Sequence, residues 1–173
     1  NYAREAFESW KADAVTVAPY MGSDSVKPFM DFEDKGVYIL NRTSNPGGKD
    51  VQNLLLADQR PLYLEVASQI AAYNDRRGCV GAVVGATNLD ELKSIAAFYQ
   101  AQRVPLLIPG VGSQGGSATE VMKILRTTDY PLALARINSS SALTHPWKLG
   151  PVPDDWLETC EANLRLLIRE TAL

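Results

Sequence analysis

The sequence predicts an α/β fold of five consecutive strand–helix units, about the last five βα units of a (β/α)8 TIM barrel. Three observations predict it. Five short runs are continuously apolar and rich in β-branched residues, as buried parallel strands are. Helical patterns separate them, so strand and helix alternate as right-handed crossovers require. Polar and glycine residues cluster just after every strand, at Pro19 to Ser23, Thr43 to Gly48, Gly85 to Asn88, Gly110 to Gly116 and Asn138 to Ser141. A doubly wound sheet of five strands also fits the length, but it gathers ligand contacts at its switch point, whereas a barrel brings every strand end to one mouth.

The elements follow in order. The chain opens on a charged amphipathic helix, NYAREAFESW, so three barrel units are expected upstream of it. The strands are DAVTVAPY from Asp13, GVYILNRTS from Gly36, GCVGAVVGAT from Gly78, VPLLIPGVG from Val104 and PLALARINSSS from Pro131. Helical spacing of apolar residues marks PLYLEVASQIAAYNDRR from Pro61, whose basic end (Asn74 to Gly78) reads as solvated and complementary to the helix dipole. Two further helices open on capping boxes, Asn88 with Glu91 and Ser117 with Glu120. An amphipathic helix from Asp155 closes the chain after the surface excursion HPWKLGPVPDD. No linker divides residues 1–173, which read as a single domain.

Composition narrows the function. The 173 residues are 46% hydrophobic and carry a net charge of -3, with the basic residues scattered. A nucleic-acid footprint or a membrane-binding patch is not expected from that distribution, nor is a membrane span, the longest apolar run being CVGAVVGA. Cys79 and Cys160 read as buried free thiols of a reducing compartment, and the cytoplasm is the expected location. The lone His145 has no Cys, Asp or Glu at ligand spacing, so no metal is expected. Trp10, Trp147 and Trp156 read as packing residues.

One motif carries chemistry on its face. IPGVGSQGG contains G-x-G-x-x-G, with Gly110, Gly112 and Gly115 in register. A dinucleotide fingerprint would open its unit and be followed about 20 residues later by an acidic residue; here the next strand ends in Arg136, Ile137 and Asn138. A P-loop would need Gly-Lys-Ser/Thr, which is absent. A bare strand-to-helix turn is the plainer reading. Against it stand Gln114, a two-headed hydrogen-bonder, and the helix start at Ser117, where backbone N–H groups and the dipole favour an anion. With NSSS ending the last strand, a phosphate cradle across both loops is expected. An esterase nucleophile in Ser139 to Ser141 would need G-x-S-x-G, which is missing.

Together, DAVTVAPYMGSDS, RTSNPGG, VVGAT, IPGVGSQGG and INSSSAL closely resemble the orotidine 5'-phosphate decarboxylase family in its bacterial and protozoan-like group. The resemblance runs through nearly the whole chain, in order. It implies a homodimeric (β/α)8 barrel without cofactor or metal, converting orotidine 5'-phosphate to uridine 5'-phosphate in de novo pyrimidine synthesis, sometimes fused to an orotate phosphoribosyltransferase. Carried over, it implies that Ser44 hydrogen-bonds the pyrimidine edge and that Gln114 spans base and phosphate. It further implies that Pro109 lines the pocket, that Ser140 and Ser141 offer backbone N–H groups to the phosphate, and that Asn138 contacts the ligand or orients its loop.

Two departures stand out. The family's catalytic D-x-K-x-x-D is absent from these residues. It is expected just before Asn1, so the segment alone is expected to be inactive. Asp24, Lys27 and Asp31 have another spacing and fall on a helix, which makes them a decoy. Secondly, Ser141 stands where the family places an arginine on the phosphate; Arg42, Lys49, Arg136 and Lys148 are the candidate replacements. The alternative function is a non-catalytic phosphate-ligand binding barrel or regulatory subunit.

Overall fold

The computed structural model describes residues 1–77, 79–148 and 150–172, without the side chains of Arg76 and Arg77. Those side chains and Gly78, read above as a solvated helix end, lie outside the described residues. The chain starts with α1 (Tyr2–Arg4), continued by a π-turn (Glu5–Ser9) whose buried Phe7 packs against Phe32 with ring centroids 5.0 Å apart. Strand β1 (Ala14–Val17) leads to α2 (Ser23–Met30), and β2 (Gly36–Arg42) leads through a 3-10 turn (Pro46–Gly48) to α3 (Lys49–Gln52) and α4 (Leu62–Arg77). Then β3 (Val80–Val84) alternates with α5 (Leu89–Gln102), and β4 (Leu106–Ile108) with α6 (Ala118–Thr127). Strand β5 (Ala135–Ile137), α7 (Ser141–Thr144) and α8 (Trp156–Glu170) complete the order.

All strand pairs are parallel, and the sheet order is β1-β2-β3-β4-β5. Each crossover therefore advances by one strand in the same direction. A doubly wound sheet would reverse at a switch point, so the run is that of a (β/α) barrel. Val37, Ile39, Val80, Ala82, Val84, Leu106 and Ile108 of the strands are buried with Ala67, Ile70, Leu92, Ile95, Tyr99, Val121 and Leu125 of the helices. Each such large aliphatic side chain contributes about 1.5–3 kcal/mol by leaving water.

Burial is not uniform, which corrects the expectation of five fully buried strands. All five residues of β3 are buried, but β1 alternates between exposed and half-buried, and β5 is likewise half open. These two are the outermost strands, each paired along one edge among the described residues. The last strand is also shorter than expected, because Leu132–Leu134 forms a 3-10 turn before it. Trp10 is 75% exposed, not packed, and Trp156 is half exposed. Both cysteines are free and half-buried, not fully buried. Among the described residues, no helix is long and apolar enough to cross a membrane.

Candidate functional site

The strand-end loops converge at the carboxyl side of β2 to β5. After β4 the chain turns through Gly110, Gly112 and Gly115 at φ of 99°, 87° and 92°, a region closed to most side chains. The loop closes on itself: Gly116 N–H donates to the Gly110 carbonyl at 3.0 Å, and Gly112 N–H to the Gly116 carbonyl at 2.9 Å. That folding lifts Gln114 to the exposed tip, where its Oε1 accepts the Ser44 hydroxyl at 2.6 Å. The G-x-G-x-x-G is thus a shaped loop that carries a side chain.

Ser44 is set from below. The Thr87 hydroxyl donates to the Ser44 carbonyl at 2.8 Å, and Gly85 N–H to the Arg42 carbonyl at 2.7 Å. A β-carbon on Gly85 would sit 2.6 Å from Ser44 N and Cα, so this contact requires glycine. Pro109, half-buried, accepts at its carbonyl from Ala86 N–H at 2.8 Å and so ties β4 to β3 beneath the same loop.

The second part of the site joins the loops after β4 and β5. Ser141 Oγ donates to Ser113 Oγ at 2.8 Å, and Ser139 Oγ to the Val111 carbonyl at 3.1 Å. Beside them lies a cavity of about 640 Å³ lined by Gly112, Ser113, Ser141, His145, Lys148 and Asn163 among others. Ser140 stands at the start of α7, its carbonyl accepting from Leu143 and Thr144 N–H groups. Asn138 continues the ladder, its N–H donating to the Ile108 carbonyl at 2.9 Å, with the residue exposed. Structure therefore brings Ser44 to Gln114 and Ser141 to Ser113, with Asn138 and Ser140 on the connecting backbone.

Of the four candidate cations, Lys148 alone lines this cavity. Arg42 is 3% exposed, and its Nε lies 2.7 Å from Glu91 Oε2. Arg136 turns its guanidinium to the carbonyls of Ala133 and Ala135, and Lys49 is exposed on α3. Asp24, Lys27 and Asp31 are exposed along and just after α2.

Sequence reasoning missed three participants. Thr87, within VVGAT, and Ser113, between the glycines of its motif, carry no sequence signal of their own. His145, considered only as a metal ligand, is exposed, with Nδ1 2.8 Å from Thr144 Oγ1, and also lines the cavity. One expectation fails. Neither half of the Asn88–Glu91 capping box forms: Asn88 makes no side-chain cap on α5, its Nδ2 lying 3.5 Å from Thr87 Oγ1, and the Glu91 carboxylate goes to Arg42 and Asn53 instead. The Ser117 cap does form, accepting from Glu120 N–H at 3.3 Å.

A run of parallel βα units with polar, glycine-shaped loops at the carboxyl ends of its strands defines a barrel protein with a small-molecule site at its mouth. Residues 1–129 match the family model described as orotidine 5'-phosphate decarboxylase / HUMPS family, and the chain belongs to that family. It is 45% identical over 165 residues to an orotidine 5'-phosphate decarboxylase of Bordetella avium, covering 95% of this chain and 58% of that protein. Among solved structures it is similar to Leishmania donovani UMP synthase (TM-score 0.79, 35% identity, 99% of this chain and 35% of that one). It is similar also to Leishmania donovani OMP decarboxylase (TM-score 0.77, 31% identity, 99% and 62%). The chain spans a little over half the length of the curated relatives it matches.

Proposed function

We propose that the protein carrying these loops decarboxylates orotidine 5'-phosphate to uridine 5'-phosphate, with this segment gripping base and phosphate. The observation that carries the reading is the Ser44–Gln114 hydrogen bond, which joins two loops 70 residues apart, Gln114 standing between the cavity-lining Ser113 and Gly115. Its support is the family membership and the relatives' being orotidine 5'-phosphate decarboxylases.

Loss of the carboxylate leaves an electron pair on a ring carbon without a conjugated sink. That carbon needs a positive charge and a proton from a preorganised donor, which the family resemblance assigns to the D-x-K-x-x-D absent from these residues. The residues present do the gripping. Ser44 and Gln114 contact the pyrimidine, Pro109 walls the pocket, and Gln114 reaches toward the phosphate. The loop from Asn138 through Ser140 and Ser141 takes the phosphate, and Lys148 supplies the cation that Ser141 cannot. Remote binding energy of this kind supports the reacting centre. The same reading makes residues 1–173 the C-terminal part of one barrel domain, with the half-open β1 edge covered by preceding units. It also implies a cytoplasmic homodimer and admits fusion to an orotate phosphoribosyltransferase.

Calorimetric titration of the full protein with uridine 5'-phosphate and with uridine tests the grip, and release of labelled carbon dioxide from carboxyl-labelled substrate tests the reaction. Equal affinity for both ligands overturns the cradle. Binding without release leaves a non-catalytic phosphate-ligand barrel.

A further inference from the structure

Arg42 and Glu91 form an ion pair that the reaction does not use. Their side chains are 4% and 18% exposed, and Nε lies 2.7 Å from Oε2. A register shift between Leu40 and Arg42 in the β2–β3 pairing accounts for the placement, since consecutive Asn41 and Arg42 are both buried. A buried ion pair of this kind is weak grounds for stability, because desolvation offsets much of the attraction. What it holds is more informative.

Arg42 Nη1 donates to the Thr43 carbonyl at 2.6 Å and to Gln52 Oε1 at 3.3 Å. Gln52 Oε1 accepts the Thr43 N–H at 3.0 Å, and Gln52 Nε2 donates to Thr43 Oγ1 at 2.9 Å. From the other side, Glu91 Oε1 accepts from Asn53 Nδ2 at 2.6 Å. The loop from Thr43 to Asn53 is thus pinned at its first residue by Arg42 and at its last by Glu91. Gly48 belongs to the same knot: a β-carbon there would lie 2.7 Å from Thr43 Oγ1 and 2.8 Å from Arg42 Nη1. Ser44 is the second residue of this loop.

We infer that the Arg42–Glu91 pair is a positioning device that fixes the start of the Thr43–Asn53 loop so that Ser44 meets the ligand. This rests on Ser44 being a ligand-binding residue, as proposed above. The pair touches no ligand; it acts through the backbone of Thr43 and the amide of Gln52. Charge-assisted bonds to a carbonyl hold a loop with directionality that an apolar contact lacks. The pair also joins the end of β2 to the start of α5, so the loop is referred to the rigid part of the fold.

Arg42→Met and Glu91→Gln in the full protein, each alone and with Ser44→Ala, test this by uridine 5'-phosphate titration and by amide hydrogen exchange. The expected result is about tenfold weaker binding for Arg42→Met, the scale of one lost charge-assisted bond, and no further loss when Ser44 is already alanine. Exchange across residues 43–53 should accelerate while β3 and β4 amides keep their protection. Arg42→Lys, which keeps the charge but not the fork, should recover part of the affinity. An equal loss in both Ser44 backgrounds would show a purely structural pair and overturn the inference, as would unchanged exchange in the loop. Should wild type not bind the nucleotide, the site reading fails, and the exchange comparison still decides whether the pair pins the loop. If Arg42→Met does not fold, Glu91→Gln is read by the same criteria.

Discussion

The Ser44 hydroxyl donates to Gln114 Oε1 at 2.6 Å, joining the loop after β2 to the loop after β4. Because Oε1 is the acceptor here, the two Nε2 protons remain to donate, and under the proposed function they serve a pyrimidine carbonyl or a phosphate oxygen. The pair acts as one unit, so its two deletions should not be additive. Gln114→Ala is expected to weaken uridine 5'-phosphate binding by about 1.5–3 kcal/mol, the worth of a hydrogen bond to a charged group. Ser44→Ala added to it should cost much less than it does alone. Additive losses in a titration cycle would mean that the two side chains bind independently.

Lys148 lines the cavity together with Ser141, and under the proposed function it supplies the cation for the phosphate. Lys148→Ala should therefore cost about 1.5–3 kcal/mol in uridine 5'-phosphate affinity and leave uridine unaffected. Ser141→Arg should weaken phosphate binding in the wild-type background by crowding the ammonium, and restore it in Lys148→Ala. Titrating both ligands into all variants checks this; tighter binding by Ser141→Arg alone would show that the cavity lacks a cationic partner.

Gly85, directly after β3, packs against the backbone of Ser44. Gly85→Ala would drive a β-carbon to 2.6 Å from backbone atoms that no rotamer change can move. Overpacking of this kind costs roughly 1–3 kcal/mol. Thermal unfolding should record the loss, and nucleotide affinity should fall with it because Ser44 is displaced. An alanine variant with wild-type unfolding temperature and affinity would contradict the close approach.

Much of this arrangement was legible in the sequence, for identifiable reasons. Parallel strands buried on both faces are continuously apolar, which exposed VGAVV as β3, and each strand end announced itself through glycine and hydroxyl residues. The partnership of Glu91 was not legible. Asn88 and Glu91 have the spacing of a capping box, and only the packing of α5 beside the end of β2 diverts the carboxylate to Arg42, 49 positions earlier. Lys148 could not be singled out from Arg42, Lys49 and Arg136 for the same reason: nearness in sequence to a loop says nothing of which cavity a long side chain reaches. The half-open burial of β1 was not legible because VTV reads alike in a covered strand and an open one.

Burial raises the pKa of three tyrosines, Tyr63, Tyr99 and Tyr130, and the last two, the most strongly shifted, dominate the alkaline behaviour. Burial raises the Tyr99 phenol well above its ordinary range, with Tyr130 adding to it, and burial likewise raises Tyr130. In the unfolded chain both ionise near pH 10. Their contribution to stability is therefore complete below about pH 10 and is lost as pH rises from there toward the folded values, at about 1.4 kcal/mol per pH unit for each tyrosine. The two should differ when the hydroxyl is deleted. Tyr130 OH donates to the Val104 carbonyl at 2.7 Å, so Tyr130→Phe should cost about 1 kcal/mol at neutral pH. Tyr99 OH is buried without a hydrogen-bond partner among the described residues, so Tyr99→Phe should be neutral or stabilising by up to about 1 kcal/mol. Both variants should also flatten the fall in stability above pH 10. Denaturant titrations at pH 7 and at pH 10.5 check both statements, and a Tyr99→Phe protein that is less stable at pH 7 would show that its hydroxyl has a partner after all.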